Sequence, residues 1–177
     1  MKLNKIMMAA VLAFGVTSAA HAADQGRGSV TFKGSIIDAP CSIVPESADQ
    51  TISLGQVSNV ALKNGGKSAS KNFQIKLENC EVENGKNNTV KITFTGTASS
   101  DDAKLLELTG TAKGAGIAIT DSSGTLLELG KASDARALNN GDNALGFSAY
   151  LQGSKAAGAV VTPGDFQSVA DFTLAYQ

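Results

Sequence analysis

From Gly26 to Ile36 the chain alternates with a period of two. Gly26, Gly28, Val30, Phe32, Gly34 and Ile36 share one face, and Arg27, Ser29, Thr31, Lys33 and Ser35 share the other. That period predicts a strand, not a helix. Glycine occupies half of the inward positions, and it brings no side chain to a core and is entropically costly to order. Such a strand is weakly tied to its own domain and suited to pairing with something else.

The same period recurs in short pieces separated by turn residues. Ile52 and Leu54 lead to Gly55, Phe73, Ile75 and Leu77 run up to Cys80, and Val90, Ile92 and Phe94 run up to Gly96. Ile117 and Ile119 enter Asp121-Ser122-Ser123-Gly124, and Leu127 and Leu129 follow, which reads as a hairpin. Asn139 to Asn143 forms another turn before Leu145, Phe147, Ala149 and Leu151. Ser99 to Leu108 is the one stretch read as helical. The sum is an all-β chain folded as a β-sandwich.

At the other end Phe166, Ser168, Ala170, Phe172, Leu174 and Tyr176 occupy one face, against Gln167, Val169, Asp171, Thr173 and Ala175. This strand holds no Pro and no Lys, and its single charge is Asp171, so nothing guards it against stray pairing. Either it is an edge, or a partner covers it. If the N-terminal strand of one molecule covers the exposed groove of another, the contact need not close and a head-to-tail polymer results. Taken singly, each end also fits an ordinary first or last strand of a closed sandwich.

Compartment changes how the remaining residues are read. Lys2 and Lys5, an apolar run of 11 residues from Ile6 to Val16, and Ala20-His21-Ala22 form a signal peptide over residues 1–22. The run is too short to span a bilayer. Cleavage leaves 155 residues beginning at Ala23, enough for one domain, with 13 basic residues against 16 acidic and a formal net charge of −3. No basic field for nucleic acid exists. The 19 glycines, 3 prolines and absence of Trp fit a turn-rich β domain.

Export also permits a disulfide, and Cys41 and Cys80 are the only cysteines. Their bond closes a loop of about 40 residues, for which chain entropy gives roughly 4 kcal/mol. Catalytic chemistry finds little material. The only His, His21, lies in the signal segment. Ser68 and Lys71 match S-x-x-K without a companion K-T-G or S-D-N motif. Glu78, Glu81 and Glu83 read as solvated acids. No catalytic residue, metal or cofactor is expected.

Glycine-rich alternation, then Gly34-Ser35-Ile36-Ile37-Asp38-Ala39-Pro40-Cys41-Ser42-Ile43, a second Cys 39 residues on, Gly164 14th from the end and a penultimate Tyr176 form a specific combination. It resembles the chaperone–usher pilins, most closely the major rod subunits of P-pilus and type 1-like fimbriae of enteric Gram-negative bacteria. The resemblance implies an incomplete immunoglobulin-like sandwich lacking its last strand, completed in trans by the N-terminal donor strand of another subunit. It divides the chain into a signal peptide (1–22), a donor-strand extension (23–35) and a pilin domain (36–177).

The same resemblance implies partners and roles. The partners are further copies of this chain, other pilus subunits, a periplasmic chaperone and an outer-membrane usher, and the product is an extracellular fimbria used in adhesion. Val30 and Phe32 become apolar plugs, with Gly26, Gly28 and Gly34 allowing close approach. Gly164, Phe166, Phe172, Leu174 and Tyr176 line the groove and meet the chaperone, and the carboxylate of Gln177 anchors basic chaperone residues. The 12 residues from Ala23 to Gly34 reach about 40 Å when extended, the length of a sandwich. A minor adaptor subunit or a secreted β-sandwich adhesin is the alternative reading.

Overall fold

The computed structural model describes residues 27–83, 86 and 88–177. The expected signal peptide and Gly26 lie outside them. The chain divides into two units, one ending at Ile36 and the other spanning Ile37–Gln177. In the first, residues 27–36 form no strand, and Val30, Phe32 and Ile36 are 78%, 90% and 104% exposed. The alternation is there without a ladder, because a ladder needs a second backbone.

Among its described residues the second unit has ten strands, one short α-helix and a 3-10 helix. In chain order they are β1 (Ser42–Ile43), α1 (Pro45–Ala48), the 3-10 helix (Asn59–Gly65), β2 (Lys71–Cys80), β3 (Thr89–Thr95), β4 (Leu106–Glu107) and β5 (Thr109–Gly110). Then come β6 (Ala115–Asp121), β7 (Arg136–Ala137), β8 (Gly141–Gly153), β9 (Phe166–Gln167) and β10 (Asp171–Tyr176). A five-stranded antiparallel sheet has the order β1-β2-β8-β6-β4; a three-stranded one has the order β10-β3-β7; β5 pairs with β9.

The two larger sheets meet across one apolar core. Ile75 and Leu77 of β2, Ile119 of β6 and Leu145 and Phe147 of β8 pack with Val90, Ile92 and Phe94 of β3. Aromatic rings join the layers: Phe94 sits edge-on to Phe147 at 5.2 Å, and Phe147 lies 5.6 Å from Phe73. Each such pair adds about 0.5–1.5 kcal/mol beyond burial. Cys41 and Cys80 are bonded and buried. Asn79, at φ +53, forms an irregularity between Leu77 and Cys80 in the β2–β8 register. Asn tolerates that backbone better than most residues.

Three expectations are corrected. Ser99 to Leu108 is not helical: Ser99 N–H donates to the Leu105 carbonyl at 2.8 Å, and Leu106 pairs with Ile117. Leu105, Leu106 and Leu108 are all buried, so tertiary burial overrides local preference. Ile52 to Gly55 forms no strand. Leu127 and Leu129 form no strand either; Leu127 N–H donates to the Ile119 carbonyl at 2.9 Å, and the turn before it closes on the Asp121 carboxylate.

The turn itself is as read. Asp121 Oδ1 accepts from Ser123 N at 2.9 Å, Ser123 Oγ at 2.6 Å and Thr125 N at 2.9 Å, with Gly124 at φ +85. The Ser123 hydrogen bond is the main reason that this carboxyl lies below the usual range.

Candidate functional site

β10 pairs with β3 through all six of its residues, and its sheet has no strand on the other side among the described residues. It is an edge. Its outward residues Asp171, Thr173 and Ala175 are exposed, while Phe172, Leu174 and Tyr176 point to the core and stay half-buried. Phe172 packs 6.4 Å from Phe94, at the outer margin of the aromatic group. Burial raises the Tyr176 phenol above its ordinary value. A backbone edge above a half-covered apolar face is a site for strand addition.

The C-terminal alternation does not form one strand. Phe166 and Gln167 pair with Gly110 and Thr109 in β9, and the ladder resumes only at Asp171. Crowding explains the break. A Cβ at Gly164 would strike Thr111 Oγ1 and the Ala112 amide, and a Cβ at Gly96 would strike the Leu106 side chain and the Val169 carbonyl. Asp165 is pinned between: its carbonyl accepts from Thr111 N at 3.0 Å, and its N–H donates to Thr111 Oγ1 at 3.0 Å.

Where the strand breaks, a cavity of about 580 Å³ opens. Leu54, Val57, Leu62, Leu108, Val161 and Phe166 supply its apolar wall, and Gly164 lies on it. Phe166 rests on the small cluster of Leu62, Leu108 and Leu151. Of these, only Gly164 and Phe166 are expected from sequence. Leu54 was visible as part of the Ile52–Gly55 alternation, but as a strand and not as a wall.

At the far end of β10, Thr89 N and Oγ1 both donate to the Gln177 main-chain oxygen, at 3.1 and 3.2 Å, and Gln177 N–H donates back to the Thr89 carbonyl at 3.0 Å. Sequence reasoning missed Thr89. Thus Phe172, Leu174, Tyr176 and Gln177 follow the β10 edge, while Gly164 and Phe166 lie beyond the break, at the cavity. On the N-terminal side, a Cβ at Gly28 or Gly34 would meet nothing within 4 Å. This molecule's own packing places no demand for glycine there.

Two packed sheets, one of them ending in an uncovered strand over a half-open core, define an immunoglobulin-like sandwich that lacks a strand, the architecture of a pilin. Comparison with known proteins agrees. The fimbrial protein family matches residues 30–177, and the chain belongs to it. It is 63% identical over 177 residues to the Fimbria A protein of Serratia marcescens, covering 100% of both chains. It is 50% identical over 179 residues to the major MR/P fimbria protein of Proteus mirabilis, again covering 100% of both. A solved chaperone–usher pilus structure, described as revealing the basis of rod uncoiling, superimposes with a TM-score of 0.76 at 40% identity, over 86% of this chain and 97% of that one. This is a structural major pilin subunit, and its place is the extracellular fimbria. Among the described residues no helix is long and apolar enough to cross a membrane.

Proposed function

We propose that the chain builds its fibre by donor-strand exchange: residues 23–36 of one molecule lie along β10 of the next and close its core. The observation that carries this is the match between a strand-patterned segment with exposed Val30, Phe32 and Ile36 and an edge strand with half-buried Phe172, Leu174 and Tyr176. Neither half satisfies itself. Burying Val30 and Phe32 contributes roughly 1.5–3 kcal/mol each, and a backbone ladder on β10 supplies the rest.

The cavity supports one direction for the donor. Laid antiparallel to β10, the donor brings its C-terminal end, and with it Ile36, to the Gly164–Phe166 end where the cavity lies; laid parallel, it carries Ile36 to Gln177. The antiparallel arrangement buries one more large apolar side chain. It places the end of the donor at Ile36, where the first unit also ends, one residue beyond the boundary read from sequence. Gly28 and Gly34, uncrowded in their own molecule, then owe their identity to the neighbour's groove.

In this reading residues 1–22 are removed on export. A periplasmic chaperone holds the open edge until an outer-membrane usher replaces it with the next donor, and the Gln177 carboxylate gives basic chaperone residues an anchor. The subunit is non-enzymatic. Deletion of Ala23 to Lys33 tests the reading: electron microscopy of cells producing only the shortened chain is expected to show no fibres, with the subunit still folded and still held by its chaperone. Fibres of normal length from that chain would falsify it.

A further inference from the structure

A donor strand that slips by two residues still turns its apolar side inward, so pattern alone leaves its register open. Antiparallel to β10, three placements keep Val30 and Phe32 over the apolar face. They set Lys33 opposite Val169, Asp171 or Thr173. Asp171 is the only charge in β10 and faces outward. Its neighbour across β3 is Thr95, while the cation on that face of β3, Lys91, stands opposite Ala175. Among the described residues neither Lys33 nor Asp171 takes part in an ion pair.

We propose that Lys33 of one molecule pairs with Asp171 of the next and thereby sets the register of the donor strand. This rests on the donor-strand reading above. The middle placement alone puts these two charges directly opposite each other. It also sets Thr31 opposite Thr173, a second favourable cross-strand pair, and brings Ile36 to Ser168, beside Phe166 at the cavity. An exposed ion pair adds little to total affinity. Register needs only a difference between neighbouring placements, and roughly a two- to fivefold preference over each is the scale that such pairs supply.

Cross-linking in fibres grown from the full chain reads the register directly. Three double-cysteine chains are compared on non-reducing gels after mild oxidation: Thr31→Cys with Thr173→Cys, Thr31→Cys with Ala175→Cys, and Ser29→Cys with Thr173→Cys. The first is expected to link neighbours severalfold more than the other two, which report the placements shifted by two residues either way. In that first chain Lys33→Asp or Asp171→Lys alone should lower the yield, and the two together should restore it.

A dominant link in either shifted pair overturns the register, as does a yield indifferent to the charge reversals. Polymers that form with none of the three links overturn the antiparallel placement itself. All of these outcomes leave strand donation standing. A chain that forms no head-to-tail polymer before any substitution overturns the donor-strand reading and the register together.

Discussion

β8 and β10 carry the same alternation and meet different fates. In β8, Leu145, Phe147, Ala149 and Leu151 are buried: the strand lies inside its sheet, paired with β2 up to Ala149 and with β6 from Phe147 onward. In β10, Phe172, Leu174 and Tyr176 remain half-buried because β3 covers one side only. Side-chain pattern selects the face that turns inward. The number of neighbouring strands decides how dry that face becomes. The difference between the two strands is therefore a difference in what surrounds them, and it is located where a second molecule can remove it.

That contrast can be broken from either side. Ile75→Ala, in the finished half of the core where the side chain has no exposure, should cost the isolated subunit about 2–5 kcal/mol. Leu174→Ala should cost the isolated subunit roughly 1 kcal/mol, since the site is already half open. In assembled fibres the Leu174→Ala loss should grow toward the buried value. Denaturant unfolding of free and polymerised forms checks both; equal losses at Leu174 in the two states would count against completion of the core by assembly.

Replacing Cys41 and Cys80 by Ser should destabilise the subunit by about 2–4 kcal/mol, seen as a lower unfolding midpoint and a smaller folded yield in an oxidising compartment. The edge should keep its binding properties in the chains that fold. Gly28→Leu should leave subunit unfolding unchanged, because the position is open in its own molecule. It should slow assembly to the extent of overpacking, about 1–3 kcal/mol, measurable as the rate of polymer growth. Wild-type kinetics would remove the steric role.

The smallest effect concerns surface charge. Lys104 and Lys131 both bind Glu128, the first at 2.8 Å, and their hydrogen bonds hold its carboxyl at about 2. A depressed carboxyl contributes stability above its unfolded value of 4.5, and that contribution is lost as pH falls toward 2. Glu128→Gln should therefore flatten the acid limb of stability between those values, with a small loss at neutral pH that disappears toward pH 2, where the native carboxyl is itself protonated. Unfolding midpoints measured from pH 2 to 7 decide it.

Much of the finished half was legible. β2, β3, β6 and β8 follow alternations visible residue by residue, and the Asn139 turn closes as read, with Asn139 N–H donating to Asn143 Oδ1 at 2.9 Å. The misreadings share a cause. Ser99 to Leu108 and Ile52 to Gly55 are both placed by parts of the chain outside their own stretch: Leu106 pairs with Ile117, and Ile52 to Gly55 line a cavity together with residues as far away as Phe166. The split between β9 and β10 depends on Thr111 and Leu106, which no local pattern near residue 164 announces. The cavity was hidden for the same reason, since its wall gathers residues from 54 to 166.

The Cys41–Cys80 bond has a mechanical meaning. Pull on a donor segment held by a neighbour enters the domain along residues 37–41, and the first strand that it reaches, β1, is two residues long and held by β2 alone. Hydrogen bonds of so short a strand would peel one after another. At Cys41 the load instead crosses a covalent link into Cys80 at the end of β2, a ten-residue strand paired with β8 from Lys71 to Leu77 and again at Cys80. With residues 23–36 as the proposed donor, tension along a fibre would be passed past the two-residue β1 ladder and into the longer β2–β8 ladder.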